Sequence, residues 1–359
     1  MRMHLVGGFL GSGKTTAIIA AAKQLIAQGQ RVGIVTNDQG KYLVDTGFFQ
    51  LADLPTVEVT GGCFCCNYDD LDARLDQLAA SARPDVIFAE SVGSCADLVA
   101  TVIKPLLELR MLDTTPASLS VFADSRLLRL RLLGEPMPFN DDVCYIFDKQ
   151  IEEAGLLVVN KVDLLTPQRL EDLNLLVARH YPDKAALFQN SLAPAGAANW
   201  LGCLATERAG FVPTRSLEID YQRYGAGEAR LAWHDQALSI DLPAGLDGRQ
   251  TLQALIEEFL ADLQAQPAAI GHVKFLARSS GGGSCKLSFP TLEENGWQAR
   301  IPDLPGAQLS LLVNARVEMD AGRLQTLFEE LLRHSGLDYH LQGSQSFHPA
   351  QPNPTHRVA

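Results

Sequence analysis

What the sequence lacks bounds it first. No stretch approaches the run of about 20 apolar residues that crosses a bilayer. Positive charge is scarce: 30 Lys+Arg stand against 42 Asp+Glu, a net charge of −12. That balance argues against bulk nucleic-acid binding and against docking on anionic lipid, while leaving room for a small local basic site. The eight histidines form no metal-binding run. His334, His340, His348 and His356 are too widely spaced for one and read as solvated or packing residues. There is no internal repeat and no long low-complexity tract. The seven cysteines are an odd number in a chain too large to need covalent staples. Cys63, Cys65 and Cys66 are too close for unstrained disulfides. A reduced, cytoplasmic location and metal chemistry fit them better. Arg2 followed by the apolar stretch 5–10 imitates a secretion signal, but Lys14, Thr15 and Thr16 interrupt it where apolar residues should continue.

What is present suffices for a sizeable core. The chain has 359 residues, 47% hydrophobic and 20% charged, a length that suits two domains. Through residue 205, apolar runs of strand length (3–7, 32–36, 57–60, 86–89, 119–123, 156–159) alternate with helical patterns (17–28, 71–80, 97–109, 126–133, 169–179). Such alternation predicts an α/β domain with a mostly parallel sheet covered on both faces. Ligands in such sheets sit beyond the strand C-termini. Residues 206–228 read as a linker. A smaller α+β domain is expected over 229–342: strands near 231–242, 271–277, 286–289 and 308–317, with helices at 251–264 and 321–332 covering one side of the sheet. The three prolines beyond residue 343 and the absence of periodicity predict a flexible tail over 343–359.

Gly8-Phe9-Leu10-Gly11-Ser12-Gly13-Lys14-Thr15-Thr16 follows the first strand and opens the first helix, the context in which G-x-x-x-x-G-K-[ST] is a phosphate-binding loop. Gly8, Gly11 and Gly13 let backbone N–H groups turn inward, and the helix N-terminus beginning around Ser12 to Thr16 adds its partial positive charge. Lys14 should reach the β/γ-phosphates and the Thr15 hydroxyl should bind Mg²⁺. Asn160-Lys161-Val162-Asp163 ends another strand. There, Asp163 could accept two hydrogen bonds from guanine, which adenine cannot offer. The Lys161 stem can lie along the base, and Asn160 can tie this loop to the phosphate loop. Ser191, after the next strand, could supply a backbone N–H to the guanine oxygen or belong to a plain loop. Glu90 ends the 86–89 strand where a carboxylate holds Mg²⁺ through water, and Gly93 suits a backbone close to the γ-phosphate. Asp38 ends the second strand, either as a contact to Mg²⁺ or the attacking water or as a solvated loop carboxylate.

Gly61-Gly62-Cys63-Phe64-Cys65-Cys66 discriminates most. Three thiolates on one turn make a soft anionic site for Zn²⁺, with Co²⁺, Fe²⁺ or Cu⁺ as alternatives. Three ligands leave a tetrahedron open, to be closed by water, a second protein or Cys95. Cys144, Cys203 and Cys285 are isolated and read as packing residues.

The phosphate loop, Gly-Gly-Cys-Phe-Cys-Cys, Glu90-x-x-Gly93 and Asn160-Lys161-Val162-Asp163, in this order over residues 3–205, resemble the CobW-type GTPases, relatives of the urease and hydrogenase accessory GTPases UreG and HypB. The resemblance implies GTP-dependent insertion of a transition metal into a client metalloenzyme. It places Cys63, Cys65 and Cys66 as metal thiolates and Lys14 and Thr15 as phosphate and Mg²⁺ ligands. It further implies slow intrinsic turnover stimulated by metal or client, with a homodimer as one assembly to test. Thr36-Asn37-Asp38-Gln39-Gly40 departs from the family's usual Asn-Glu-Phe-Gly toward UreG, and the histidine-rich stretch of many members is missing. Two other readings stay open on the residues alone. One is a P-loop ATPase or kinase with a structural zinc, and the other is a non-catalytic metal sensor or buffer.

Overall fold

Seven strands of the first unit are buried in proportion to their place in one sheet: β1 (Arg2–Gly8), β2 (Val32–Asp38), β3 (Thr56–Thr60), β4 (Val86–Glu90), β5 (Thr115–Asp124), β6 (Leu156–Asn160) and β7 (Ala185–Gln189). In this computed structural model, which describes every residue except 41–43, 110–114, 207–210, 244 and 291–295, the strand order is β3-β2-β4-β1-β5-β6-β7. Every pairing is parallel, so all seven C-terminal ends share one edge. The inner strands β4 and β6 are buried along their whole length, whereas the edge strands β3 and β7 are not. That contrast is why the inner strands are continuous apolar runs rather than alternating ones.

The helices are α1 (Lys14–Ala27), α2 (Val44–Leu51), α3 (Tyr68–Ala82), α4 (Lys104–Leu109) after a π-helical turn at Val99–Ile103, α5 (Ser125–Leu133), α6 (Asp141–Glu153), α7 (Pro167–His180), α8 (Pro194–Thr206) and α9 (Tyr221–Arg230). On one face Ala17, Ile18, Ala21 and Leu25 of α1 pack with Val6, Phe88, Phe122 and Trp200 of α8. Trp200 is fully buried because its indole N–H finds Ser120 Oγ at 3.1 Å.

The chain divides into two units. The first holds Met1–Gln39, Phe49–Gly227 and Gln351–Ala359, and the second holds Gly40–Phe48 and Glu228–Ala350. The second unit is an antiparallel sheet of β8 (Leu231–Asp241), β9 (Ile270–Ser279), β10 (Ser284–Pro290), β11 (Gln308–Glu318) and β12 (Asp338–Phe347), in the order β10-β9-β11-β8-β12. Its helices α10 (Gly248–Gln264) and α11 (Ala321–Ser335) share one apolar core with the sheet, through Leu255, Phe259, Leu324 and Phe328 among others. Asp247 and Asp320 cap the two helices, accepting from the backbone N–H of Arg249 and Arg323.

Two expectations need correction. The expected linker contains α9, whose Tyr224 is buried and accepts the Ala96 N–H at 3.0 Å; residues 207–210 of that span lie outside the described ones. The expected flexible tail holds the end of β12, and residues 351–359 belong to the first unit. β12 is an edge strand with exposed side chains over most of its length. Its backbone ladder to β8 holds it, and that ladder leaves no hydrophobic period in the sequence. Among the described residues no helix is long and apolar enough to cross a membrane.

Candidate nucleotide and metal site

The phosphate loop runs from the end of β1 to the first turn of α1. Gly13 sits at φ 95°, a conformation costly for an L side chain, and a Cβ there would strike the Asn160 side-chain amide. Asn160 therefore approaches closely. Its Nδ2 donates to Ser12 O at 2.7 Å, while its Oδ1 accepts from the Ser191 N–H at 3.0 Å and hydroxyl at 2.8 Å. One buried amide thus joins three loops: phosphate loop, N-K-x-D loop and the loop after β7. The Lys14 ammonium lies across its own loop, donating to Gly8 O at 2.7 Å and Phe9 O at 3.3 Å. Ser12 Oγ is buried with no partner among the described residues. Such an orphaned donor suits an anion in the loop. Thr16 is half-buried in the first turn of α1.

Thr15 Oγ1 donates to Glu90 Oε1 at 2.8 Å, and both residues are buried. A hydroxyl and a carboxylate converging beside the phosphate loop form a hard, all-oxygen donor set, which fits Mg²⁺. Gly93 lies close to the phosphate loop: a Cβ there would come within 2.6 Å of Leu10 Cδ2 and 3.1 Å of Leu10 Cα, so the Leu10 side chain would have to move. The buried Gln150 of α6 fixes the segment by donating to Gly93 O at 3.0 Å and Cys95 O at 2.8 Å. No sequence pattern marks this role for Gln150, which looks like one polar residue in an amphipathic helix.

The Asn160–Asp163 loop is held firmly at its start and exposed at its end. Lys161 adopts φ 62°, its carbonyl accepts from Ser125 Oγ at 2.9 Å, and its ammonium pairs with Asp124 at 3.1 Å. Burial alone would raise the Asp124 carboxyl, but Arg126 and Lys161 outweigh it and hold the group below the usual carboxylate range. Asp163 is exposed in the 3₁₀ turn Val162–Leu164. Asp38 ends β2 in register with Thr60, the residue that leads into the cysteine loop.

The cysteine loop brings its three sulfurs together: Cys63 to Cys65 2.8 Å, Cys63 to Cys66 3.2 Å and Cys65 to Cys66 3.7 Å. Among the described residues these three thiols are the one group of ligand atoms gathered closely enough to hold a metal ion. Tetrahedral Zn²⁺ with Zn–S near 2.3 Å spaces its sulfurs about 3.8 Å apart, so the Cys65–Cys66 pair already stands at that spacing. Cys65, Cys66 and the buried Cys95 all hydrogen-bond to Cys63 and hold its thiol well below its usual range. Cys65 and Cys66 are pushed up in turn, Cys66 to about 11, because Cys63 draws on their protons. The turn itself closes through Cys66 N and Asn67 N, which donate to Cys63 O at 3.0 and 2.9 Å.

Asn37, like Gln150, has a role that sequence reasoning missed. From the end of β2, its Nδ2 donates to Val59 O at 3.1 Å and Gly62 O at 2.7 Å, and its Oδ1 accepts the Phe64 N–H at 2.8 Å. It clamps both sides of the cysteine loop. The only sequence signal was an amide beside Asp38 at a strand end.

Fold and site define a phosphate-loop nucleotide-binding protein with a thiol cluster at the same sheet edge. The chain belongs to the CobW/HypB/UreG family, whose nucleotide-binding domain matches residues 2–188. It is 26% identical to the zinc chaperone CobW of a Sinorhizobium species, over 55% of this chain and 61% of that protein. It is 31% identical to the zinc chaperone YeiR of Escherichia coli strain K12, over 46% of this chain and 48% of that protein. The chain thus spans about half to three fifths of the length of these two curated relatives. With the urease accessory protein UreG of Metallosphaera sedula it shares 31% identity, over 46% of this chain and 74% of that protein.

Proposed function

We propose that the protein is a GTP-hydrolysing metallochaperone: it carries a transition metal at Cys63, Cys65 and Cys66 and delivers it to a client metalloenzyme in the cytoplasm. The observation that carries this reading is the joint placement of three gathered thiols and a phosphate loop at one sheet edge. β3 and β1 lie three strand spacings apart, about 14 Å. The names of two relatives, both zinc chaperones, favour Zn²⁺ as the cargo. Cys95, a hydrogen-bond partner of Cys63 and Cys65, is the best-placed fourth thiolate.

Lys14 and the backbone of Gly11, Ser12 and Gly13 hold the β/γ-phosphates, with Ser12 Oγ gaining the partner it lacks. Thr15 and Glu90 would hold Mg²⁺, which supplies charge neutralisation at the phosphates when bound. Gly93 gives its backbone N–H close access to the γ-phosphate, and Asp38 orients the attacking water. Asp163 reads guanine, its exposed carboxylate becoming paired when the base arrives, whereas Ser191, whose N–H and hydroxyl both go to Asn160, steadies that amide instead of reaching the base as the sequence suggested. Turnover is slow until metal or client arrives.

The test has two arms. Titration with fluorescent GTP and ATP should favour GTP by at least about a hundredfold, because adenine leaves the Asp163 carboxylate unpaired; equal affinities would favour an ATPase or kinase. Serine at Cys63, Cys65 and Cys66 together should abolish tight Zn²⁺ binding, whereas serine at Cys144, Cys203 and Cys285 should not. Unchanged Zn²⁺ stoichiometry in the first variant sinks the metal reading. Absence of GTP hydrolysis with any metal would revive the sensor or buffer.

A further inference from the structure

Residues 351–359 are engaged with the cysteine loop on one side and with the segment after Cys95 on the other. Toward the loop, the Thr355 N–H donates to Cys65 O at 2.9 Å and its hydroxyl to Cys66 O at 3.0 Å. The Asn353 N–H donates to Cys66 Sγ at 3.4 Å. The His356 ring stands edge-on to Tyr68, the first residue of α3, with centroids 5.0 Å apart. On the other side, Arg357 Nε donates to Asp97 Oδ2 at 2.8 Å and the second guanidinium nitrogen to Leu217 O at 2.8 Å. The Val358 N–H donates to Ala100 O at 2.9 Å.

Local chemistry makes this segment stiff where it meets the sulfur. In Pro352-Asn353-Pro354 the prolines fix their own φ and restrict the residues before them, and neither carries an N–H. Asn353 has the one backbone donor of the three, and it goes to a thiol. The receiving end is unusual as well. Asp97 is buried at φ 66°, a region rarely adopted by residues other than glycine, and the π-helical turn Val99–Ile103 follows it. Burial sets the direction of access: Cys63 and Cys65 are 2% and 1% exposed, whereas Cys66 is half-buried. The sulfur nearest to solvent is the one this segment touches.

We propose that residues 351–359 form a strap over Cys66 that slows metal release, with Asn353 and Thr355 positioning the cysteine loop and Arg357 latching the strap to Asp97. This rests on the reading of Cys63, Cys65 and Cys66 as metal ligands. An acceptor that takes the metal through Cys66 must first lift the strap, so the chain keeps its cargo from casual chelators without burying every ligand.

The experiment loads the full chain with Co²⁺, follows its thiolate-to-cobalt charge-transfer absorption, and times the loss of that band to excess EDTA. Arg357→Ala should release Co²⁺ at least about tenfold faster, as expected for losing a charged hydrogen bond, with unchanged stoichiometry. Asn353→Pro should also speed release and shift the band, because the sulfur loses its N–H donor; a merely structural residue would not move that signature. Thr355→Val, on an exposed side chain, repeats the rate test without disturbing Asp97. A wild-type band with equal release rates in all variants overturns the strap. Absence of the band in the wild type overturns the metal-ligand reading and the strap with it.

Discussion

The two units use buried polar residues in opposite ways. In the second, Arg316 and Asp235 are 1% and 0% exposed and pair at 2.7 Å. Asn314 donates to Asp235 at 2.7 Å, Gln345 donates to it at 3.1 Å, and the Arg316 guanidinium lies 3.9 Å from the Trp233 ring centre. There Arg316, Asp235, Asn314 and Gln345 satisfy one another's buried polar groups. In the first unit Lys14 rests on carbonyls of its own loop, and Ser12 Oγ has no partner among the described residues. Buried polar groups that saturate one another hold a fold; those left with weak or no partners await a ligand. Among the described residues, Ser12 Oγ in the phosphate loop is such a group at the sheet edge of the first unit.

The largest effect should come from removing one cation in each unit. Arg316→Ala strands the Asp235 charge and should cost about 3–5 kcal/mol in urea unfolding. Lys14→Met should leave the urea midpoint unchanged or raised, because functional groups are often held at the expense of stability, yet abolish GTP binding. Similar stability losses in both would erase the contrast.

Next in size is pH. His4 in the first unit and His234 in the second are buried and held neutral. Burial, aided by Arg2, pushes His4 down to about 4. Burial likewise pushes His234 down to about 4, against the Gln236 hydrogen bond that favours the charged form. Their folded values lie below the unfolded value near 6.5, so the unfolded chain takes up protons first as pH falls. Stability is therefore complete above pH 6.5 and is lost between 6.5 and 4, by about 3 kcal/mol per histidine. Urea midpoints at pH 7 and pH 5 check this, and His4→Gln should flatten the acid-side fall. An unchanged slope in that variant would mean that His4 is not the group titrating.

Smaller is the linkage between the two sites of the first unit. Asn37 joins the end of β2, beside Asp38, to the cysteine loop. Zn²⁺ affinity should be higher with a non-hydrolysable GTP analogue than with GDP, by about 1–3 kcal/mol or five- to 150-fold, and reciprocally for nucleotide. Asn37→Ala should shrink that ratio while leaving GTP affinity without metal unchanged. Equal Zn²⁺ affinity in both nucleotide states would leave two independent sites. Smallest is Gly13→Ala. Its left-handed backbone should cost about 1–2 kcal/mol, read in the same unfolding assay, and nucleotide affinity should fall further as Asn160 is pushed off Ser12.

Sequence by itself determined the elements whose chemistry is local. The phosphate loop is recognisable because glycine, lysine and threonine must occupy neighbouring positions to wrap an anion. The thiol cluster is recognisable because three cysteines within four positions cannot avoid one another. The parallel sheet followed from continuous apolar runs, since strands buried on both faces cannot alternate. Tertiary structure alone decided what reaches these loops from far along the chain. Asn37 on the cysteine turn, Gln150 beneath Gly93, Cys95 beside Cys63, and Asn353 and Thr355 across Cys66 are all long-range pairings. A hydrogen bond between residues 287 positions apart leaves no period and no motif, because its specificity lies in where two backbones meet and not in either sequence. For the same reason the end of β12 and residues 351–359 looked like a tail: backbone ladders and single polar contacts hold them, and neither writes a hydrophobic pattern.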